Sequence, residues 1–190
     1  VGAFAFRTPT QRHPDYAALQ VIRELLSNAQ GSGYLDRLAE EGKLLIAFPL
    51  ALDTADHGLD ILFFAPRLLS QSYRNAEKHV LRQYRRIAEG DFDQAEMVAI
   101  RDNLRRAEDR NWEDNEARAL LMGSSLIRHD SWQGVLDYRQ RLATLDRREV
   151  MRVAAKYFGD DHLLLRSRMG FPRKKHLSAP HYPSVKPNPG

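Results

Sequence analysis

The chain has 190 residues, 43% of them hydrophobic and 28% charged, with no cysteine and a formal net charge of +4. That length supports one buried core and suits a single domain. The lack of cysteine excludes disulfides, thiolate metal ligands and a cysteine nucleophile.

No apolar run approaches the roughly 20 residues needed to cross a bilayer, and no basic-then-apolar opening reads as a signal peptide. The basic excess is confined to one stretch: Arg166 to Gly190 carries six Lys/Arg and no Asp/Glu, leaving 23 basic against 25 acidic residues elsewhere. A slightly acidic body argues against nucleic-acid binding. The chain starts at Val1 without a methionine and closes on a proline-rich stretch, so both ends are expected to be cuts in a longer polypeptide. The compartment stays open, because a cysteine-free chain suits cytoplasm and periplasm equally.

In chain order, VGAFAFR at 1–7 alternates small with large residues and reads as a strand. Pro14 is expected at the first position of a helix whose Ala18, Leu19, Ile22, Leu25 and Leu26 share one face and which ends near Gly31. A short helix over Tyr34–Glu41 follows, stopped by Gly42. Two apolar runs, 43–52 and 59–66, separated by DTADHG, read as a β-hairpin, and Pro49 puts the first run at a sheet edge or in a bulge. From about Ser72 to Arg148 the pattern is helical, with breaks expected at Gly90-Asp91, around Gly123–Ser125 and around Asp130–Gly134. Asp146 is expected to cap a last helix with Val150, Val153 and Ala154 on one face. HLLLRS at 162–167 closes as a strand.

Hairpin pairing, with no repeated βαβ crossover, points to an α+β fold: a mainly antiparallel sheet in two layers with several helices packed on it. The expected division is one domain over 1–169 and a proline-rich interdomain linker over 170–190, where five of the nine prolines lie.

Neither zinc motif, H-E-x-x-H nor H-x-x-E-H, occurs. Glu77-Lys78-His79 comes nearest, but position 75 is Asn75. Asp53, Asp56, His57 and Asp60 form the densest set of possible metal ligands; at a hairpin tip they read as a solvated turn. Ser124, Ser125 and Ser131 near His129 and Asp130 read as helix ends and caps, not as a triad. Trp112, Trp132 and Tyr138 read as core. No phosphate-cradling glycine loop or nucleophile elbow is present. The residues alone therefore assign no catalytic residue, metal ligand or cofactor to this chain.

The order HPDYAALQVIRELLSNAQGSGYLDRLAEEGKLLIAF, then IAEGDFDQAEMVAIRDNLRR, then YRQRLATLDRREVMRVAAKYFGDDHLLLRSRMGFPRKKHLSAP resembles a non-catalytic, C-terminal-type domain of the insulinase/pitrilysin family of zinc metallopeptidases. The resemblance implies a two-layer α/β domain that helps enclose peptide substrates, with the H-x-x-E-H motif and its zinc in a preceding domain of the same polypeptide. It implies other domains of that polypeptide as partners, and peptide as the substrate of the full-length protein. Where domains in the family's other half carry a substrate-reaching Arg and Tyr, this sequence has Ala39 and Leu45, a departure that points to a wall and brace. The loop of Ser32, Gly33 and Arg37 is the stretch expected to face neighbouring domains or substrate; a tight turn with a solvated Arg37 is the alternative. The other reading of the whole chain is a peptidase-derived binding or assembly module without proteolysis, like core subunits of respiratory complexes.

Overall fold

Alternation of small and aromatic residues makes Gly2–Thr8 a strand, β1, with Phe4 and Phe6 on one side and Ala3 and Ala5 on the other. A computed structural model describes residues 1–54, 56–67, 71–129 and 131–167; the expected boundary at 169 and the linker over 170–190 lie outside the described residues. Next come helices α1 (Tyr16–Leu26) and α2 (Tyr34–Glu40) and the hairpin β2 (Ile46–Asp53) and β3 (Gly58–Ala65). Helices α3 (Tyr73–Glu89), α4 (Gln94–Glu113), α5 (Asn115–His129), α6 (Trp132–Thr144) and α7 (Arg147–Tyr157) lead to β4 (Leu163–Arg166).

The strands form one sheet in the order β2-β3-β1-β4, antiparallel throughout. The fold is α+β as expected. Registers Phe4↔Leu62, Gly2↔Phe64 and Phe4↔Leu164 put the large β1 side chains beside those of β3 and β4 on one face. On that face Phe4, Phe6, Leu62 and Phe64 are fully buried under α1, α3 and α7. Phe6 meets Tyr84 of α3 at 5.1 Å and Phe158, just past α7, at 5.2 Å between ring centroids. Burying each such side chain contributes about 1.5–3 kcal/mol. Helices α4 and α6 pack against α1, and α5 against both.

β2 is an edge strand, as Pro49 requires. Thr54 donates its N–H to the His57 carbonyl at 3.0 Å, so alternation along the ladder gives the even-numbered β2 residues the bonds to β3 and turns the Pro49 nitrogen outward, where no donor is needed.

Three expectations fail. α1 ends at Leu26, with Ser27 as its C-cap, and not near Gly31. Pro14 is not in the first helical turn: Asp15 occupies the N-cap and α1 begins at Tyr16. α5 runs unbroken through Gly123–Ser125, and within it Ser124 and Ser125 turn their hydroxyls back to the carbonyls of Leu121 and Met122 at 3.2 and 2.7 Å. The break falls earlier, where Asp114 accepts from the Ala117 N–H at 2.8 Å and caps α5. The turn at Gly90 (φ 80°) and the Asp146 cap on Glu149 N–H at 2.8 Å are as expected.

Candidate functional site

Between α1 and α2 the chain makes a loop that Asp36 organises. Its carboxylate accepts from the Ser27 hydroxyl at 2.8 Å and from the N–H groups of Asn28 and Gly33 at 3.2 and 3.0 Å. Asn28 accepts from the Ser32 N–H at 3.1 Å. Gly33 is required by close approach: a Cβ there would lie 2.4 Å from the Leu26 carbonyl oxygen. Ser32 and Gly33 thus complete the turn. Arg37 alone of the three expected residues presents a charged head: half exposed, 5.8 Å from the Tyr34 ring centre and in a long ion pair with Glu96 at 3.8 Å. Tyr34 donates to Glu96 at 3.2 Å, and burial, with the Glu96 charge, pushes its hydroxyl up to about 12.

The acidic set at the hairpin is split by the fold. Asp56 and His57 are exposed at the tip, whereas Asp53 and Asp60 turn inward and share one guanidinium. Arg23 of α1 donates Nε and Nη2 to Asp60 at 2.8 and 2.9 Å, and Nη1 and Nη2 to Asp53 at 2.9 Å each. Tyr16 donates to Asp53 at 2.9 Å. Burial would lower the Arg23 pKa, but its hydrogen bonds to both carboxylates outweigh that and hold the guanidinium above its ordinary value. These two aspartates are therefore not the solvated turn residues expected of them; they are the inner partners of a buried ion triad.

The family resemblance implies zinc in a preceding domain, and in this chain Asp53, Asp56, His57 and Asp60 form the densest set of possible ligands. These residues do not fit zinc. A fixed cation already fills the space between the two carboxylates, and among the described residues no group of three or more His, Asp or Glu is placed to hold a metal ion.

Of the serines, Ser131 accepts from the Gly134 N–H at 3.3 Å as the cap of α6. Trp112 and Trp132 pack on each other at 4.9 Å, with the Arg139 guanidinium 4.7 Å over Trp112. A second inward clamp was not foreseen. Asp15, buried at the head of α1, accepts from Arg152, from Lys156 at 2.9 Å and from the Tyr157 hydroxyl at 2.9 Å, tying α7 to α1.

The face of the sheet turned away from the helices has no cover among the described residues. Ile46, Phe48, Leu50 and Leu52 of β2 line it at 43–47% exposure, joined by Leu163 and Leu165 of β4 at 60% and 56%. Phe63 of β3 stacks on Phe48 at 5.1 Å across the strands, and Leu59 and Ile61 share the face. Monomeric proteins seldom leave so continuous an apolar surface to water.

The described residues thus form an α+β domain with one sheet face under helices, the other bare and apolar, and no group of three or more His, Asp or Glu placed to hold a metal ion. The family description "Peptidase M16 inactive domain" matches residues 2–104, more than half of the chain. The chain belongs to that family, the inactive domains of the insulinase/pitrilysin peptidases. It is 25% identical over 159 residues to the zinc protease PqqE of Helicobacter pylori, covering 83% of this chain and 35% of the relative. The solved structure of a protease from Helicobacter pylori superposes with a TM-score of 0.74 at 23% identity, over 87% of this chain and 40% of that one. An inactive peptidase domain from Bordetella parapertussis gives 0.73 at 20% identity, over 88% and 91%. The chain thus spans about a third of the length of the curated relative it matches.

Proposed function

We propose that this chain is the non-catalytic, substrate-enclosing domain of a zinc-dependent endopeptidase that acts on peptides, with the zinc in a preceding domain of the same polypeptide. The observation that carries the reading is the bare sheet face. A row of Ile46, Phe48, Leu50 and Leu52, nearly half exposed, is surface that a neighbouring domain would bury. Membership of an inactive-domain family and the similarity to a zinc protease support it.

The contribution to catalysis would be positional. The domain would brace the zinc-bearing domain through its sheet, wall off one side of the peptide and keep water from the scissile bond. None of its own residues moves a proton in this scheme.

A direct test mixes the chain with the H-x-x-E-H-bearing part of its polypeptide and follows a quenched peptide library. The expected result is no chelator-sensitive turnover by the chain alone, turnover on mixing, and loss of that gain with Phe48→Asp/Leu50→Asp. Chelator-sensitive cleavage by the chain alone would overturn the non-catalytic reading. An upstream sequence without any H-x-x-E-H would shift the assignment to an assembly module.

A further inference from the structure

Arg37 belongs to a cleft that the enclosing role leaves unexplained. The helical period puts Tyr34, Arg37 and Glu41 along one face of α2. His79, Arg82 and Arg86 share one face of α3, and the two faces form the walls of an open groove of about 400 Å³ that Lys43 and Asp91 also line. Four permanent cations, Arg37, Lys43, Arg82 and Arg86, meet two carboxylates there, Glu41 and Asp91.

The pairings leave one cation, Arg82, without a partner among the described residues and a second, Arg37, only loosely paired. Lys43 is taken by Glu41, and Arg86 is held by Asp91 at 2.7 Å while stacking 4.6 Å over the Tyr34 ring. Arg82 is exposed and makes no ion pair or hydrogen bond among the described residues. Arg37 makes one long ion pair, 3.8 Å to Glu96 Oε1 and beyond hydrogen-bonding distance, while Glu96 Oε2 accepts from the Tyr34 hydroxyl. Two fork-shaped donors therefore line one groove from opposite walls, the Arg82 fork open and the Arg37 fork engaged only by the long pair to Glu96. Guanidinium forks match carboxylates in that geometry.

We propose that the α2–α3 cleft binds an acidic stretch of peptide, one carboxylate on Arg82 and another on Arg37. An extended peptide fits better than a single small anion, because the two donors stand on different helices and suit carboxylates spaced along a chain. The assignment rests on the reading of this protein as part of a peptide-handling enzyme, and it names a substrate feature: acidic residues outside the scissile position.

The experiment measures fluorescence anisotropy of a rhodamine-labelled peptide with three Glu spaced by Ala, against the same peptide with Gln, on the 190-residue chain without any zinc domain. The Glu peptide is expected to bind at least about tenfold more tightly, with the preference falling as salt rises. Arg37→Glu/Arg82→Glu removes the preference, Arg37→Lys/Arg82→Lys retains part of it, and unfolding curves match the wild type. If the double variant fails to fold, Arg82→Gln, which disturbs no partner, carries the test. Equal binding of the two peptides, a preference that survives the charge reversals, full displacement by millimolar inorganic phosphate, or loss of preference in Lys174→Glu/Lys175→Glu each overturns the proposal. No zinc domain is present, so failure here leaves the enclosing role standing, and failure of the mixing experiment leaves this site standing.

Discussion

The two faces of one sheet obey different rules. Toward the helices, β1 and β3 present Phe4, Phe6, Leu62 and Phe64, all fully buried. Away from them, β2 presents Ile46, Phe48, Leu50 and Leu52, equally apolar and close to half exposed. An antiparallel sheet with one wet face ordinarily turns polar residues outward. Here the outward residues of β2 are the large apolar ones, and the inward ones, Ala47, Pro49, Ala51 and Asp53, are small or ionic. The lesson is that these strands are built for burial on both sides, and the described residues supply cover for only one.

The contrast is broken most severely from the helix side. Arg23→Met would leave Asp53 and Asp60 buried without their cation, and a loss of about 3–5 kcal/mol is expected in denaturant unfolding. An unchanged midpoint would show that water, not Arg23, satisfies the two carboxylates. Next in size is Gly33→Ala, which forces a methyl into the Leu26 carbonyl and is expected to lower stability by about 1–3 kcal/mol.

Asp15→Asn tests the clamp between α1 and α7. Burial alone would raise the Asp15 carboxyl, but the hydrogen bonds from Arg152, Lys156 and Tyr157 outweigh it and hold the group well below the usual carboxylate range. A depressed folded-state pKa means that the stabilisation is complete above the unfolded value near ~4 and is lost as the pH falls below it. The substitution is therefore expected to cost about 1–3 kcal/mol at pH 7, with the gap to wild type closing as the pH drops from about 4. A gap independent of pH would rule out the ionised clamp.

The smallest effect on stability belongs to the bare face. Phe48→Asp/Leu50→Asp should change the unfolding free energy of the isolated chain by no more than about 0.5 kcal/mol. Sedimentation velocity should show less self-association than in the wild type. A large destabilisation would mean that this face is already covered within the chain.

The legible part of this molecule was the part written in local patterns. Period-two alternation located β1 and the hairpin, helical spacing located α1, α3 and α7, and Gly42, Gly90 and Asp146 marked ends that the backbone confirms. Pro49 disclosed the sheet edge. In α5, which runs on through Gly123, and at α1, which starts at Tyr16 while the Asp15 carboxylate is drawn to Arg152, Lys156 and Tyr157, pattern reading misplaced the boundary. The inward turn of Asp60 was in principle visible, since it shares parity with Leu62 and Phe64.

By itself, then, the sequence determined the element order, the fold class, the absence of a zinc motif and the family resemblance, because each is carried by neighbours along the chain. The tertiary structure decided what required distant residues to meet. It set Arg23 between aspartates 30 and 37 positions away, left one sheet face bare, and gathered Arg37, Arg82 and Arg86 around one cleft. Such pairings depend on which faces of separate elements come together in space, and no spacing within a single segment encodes them.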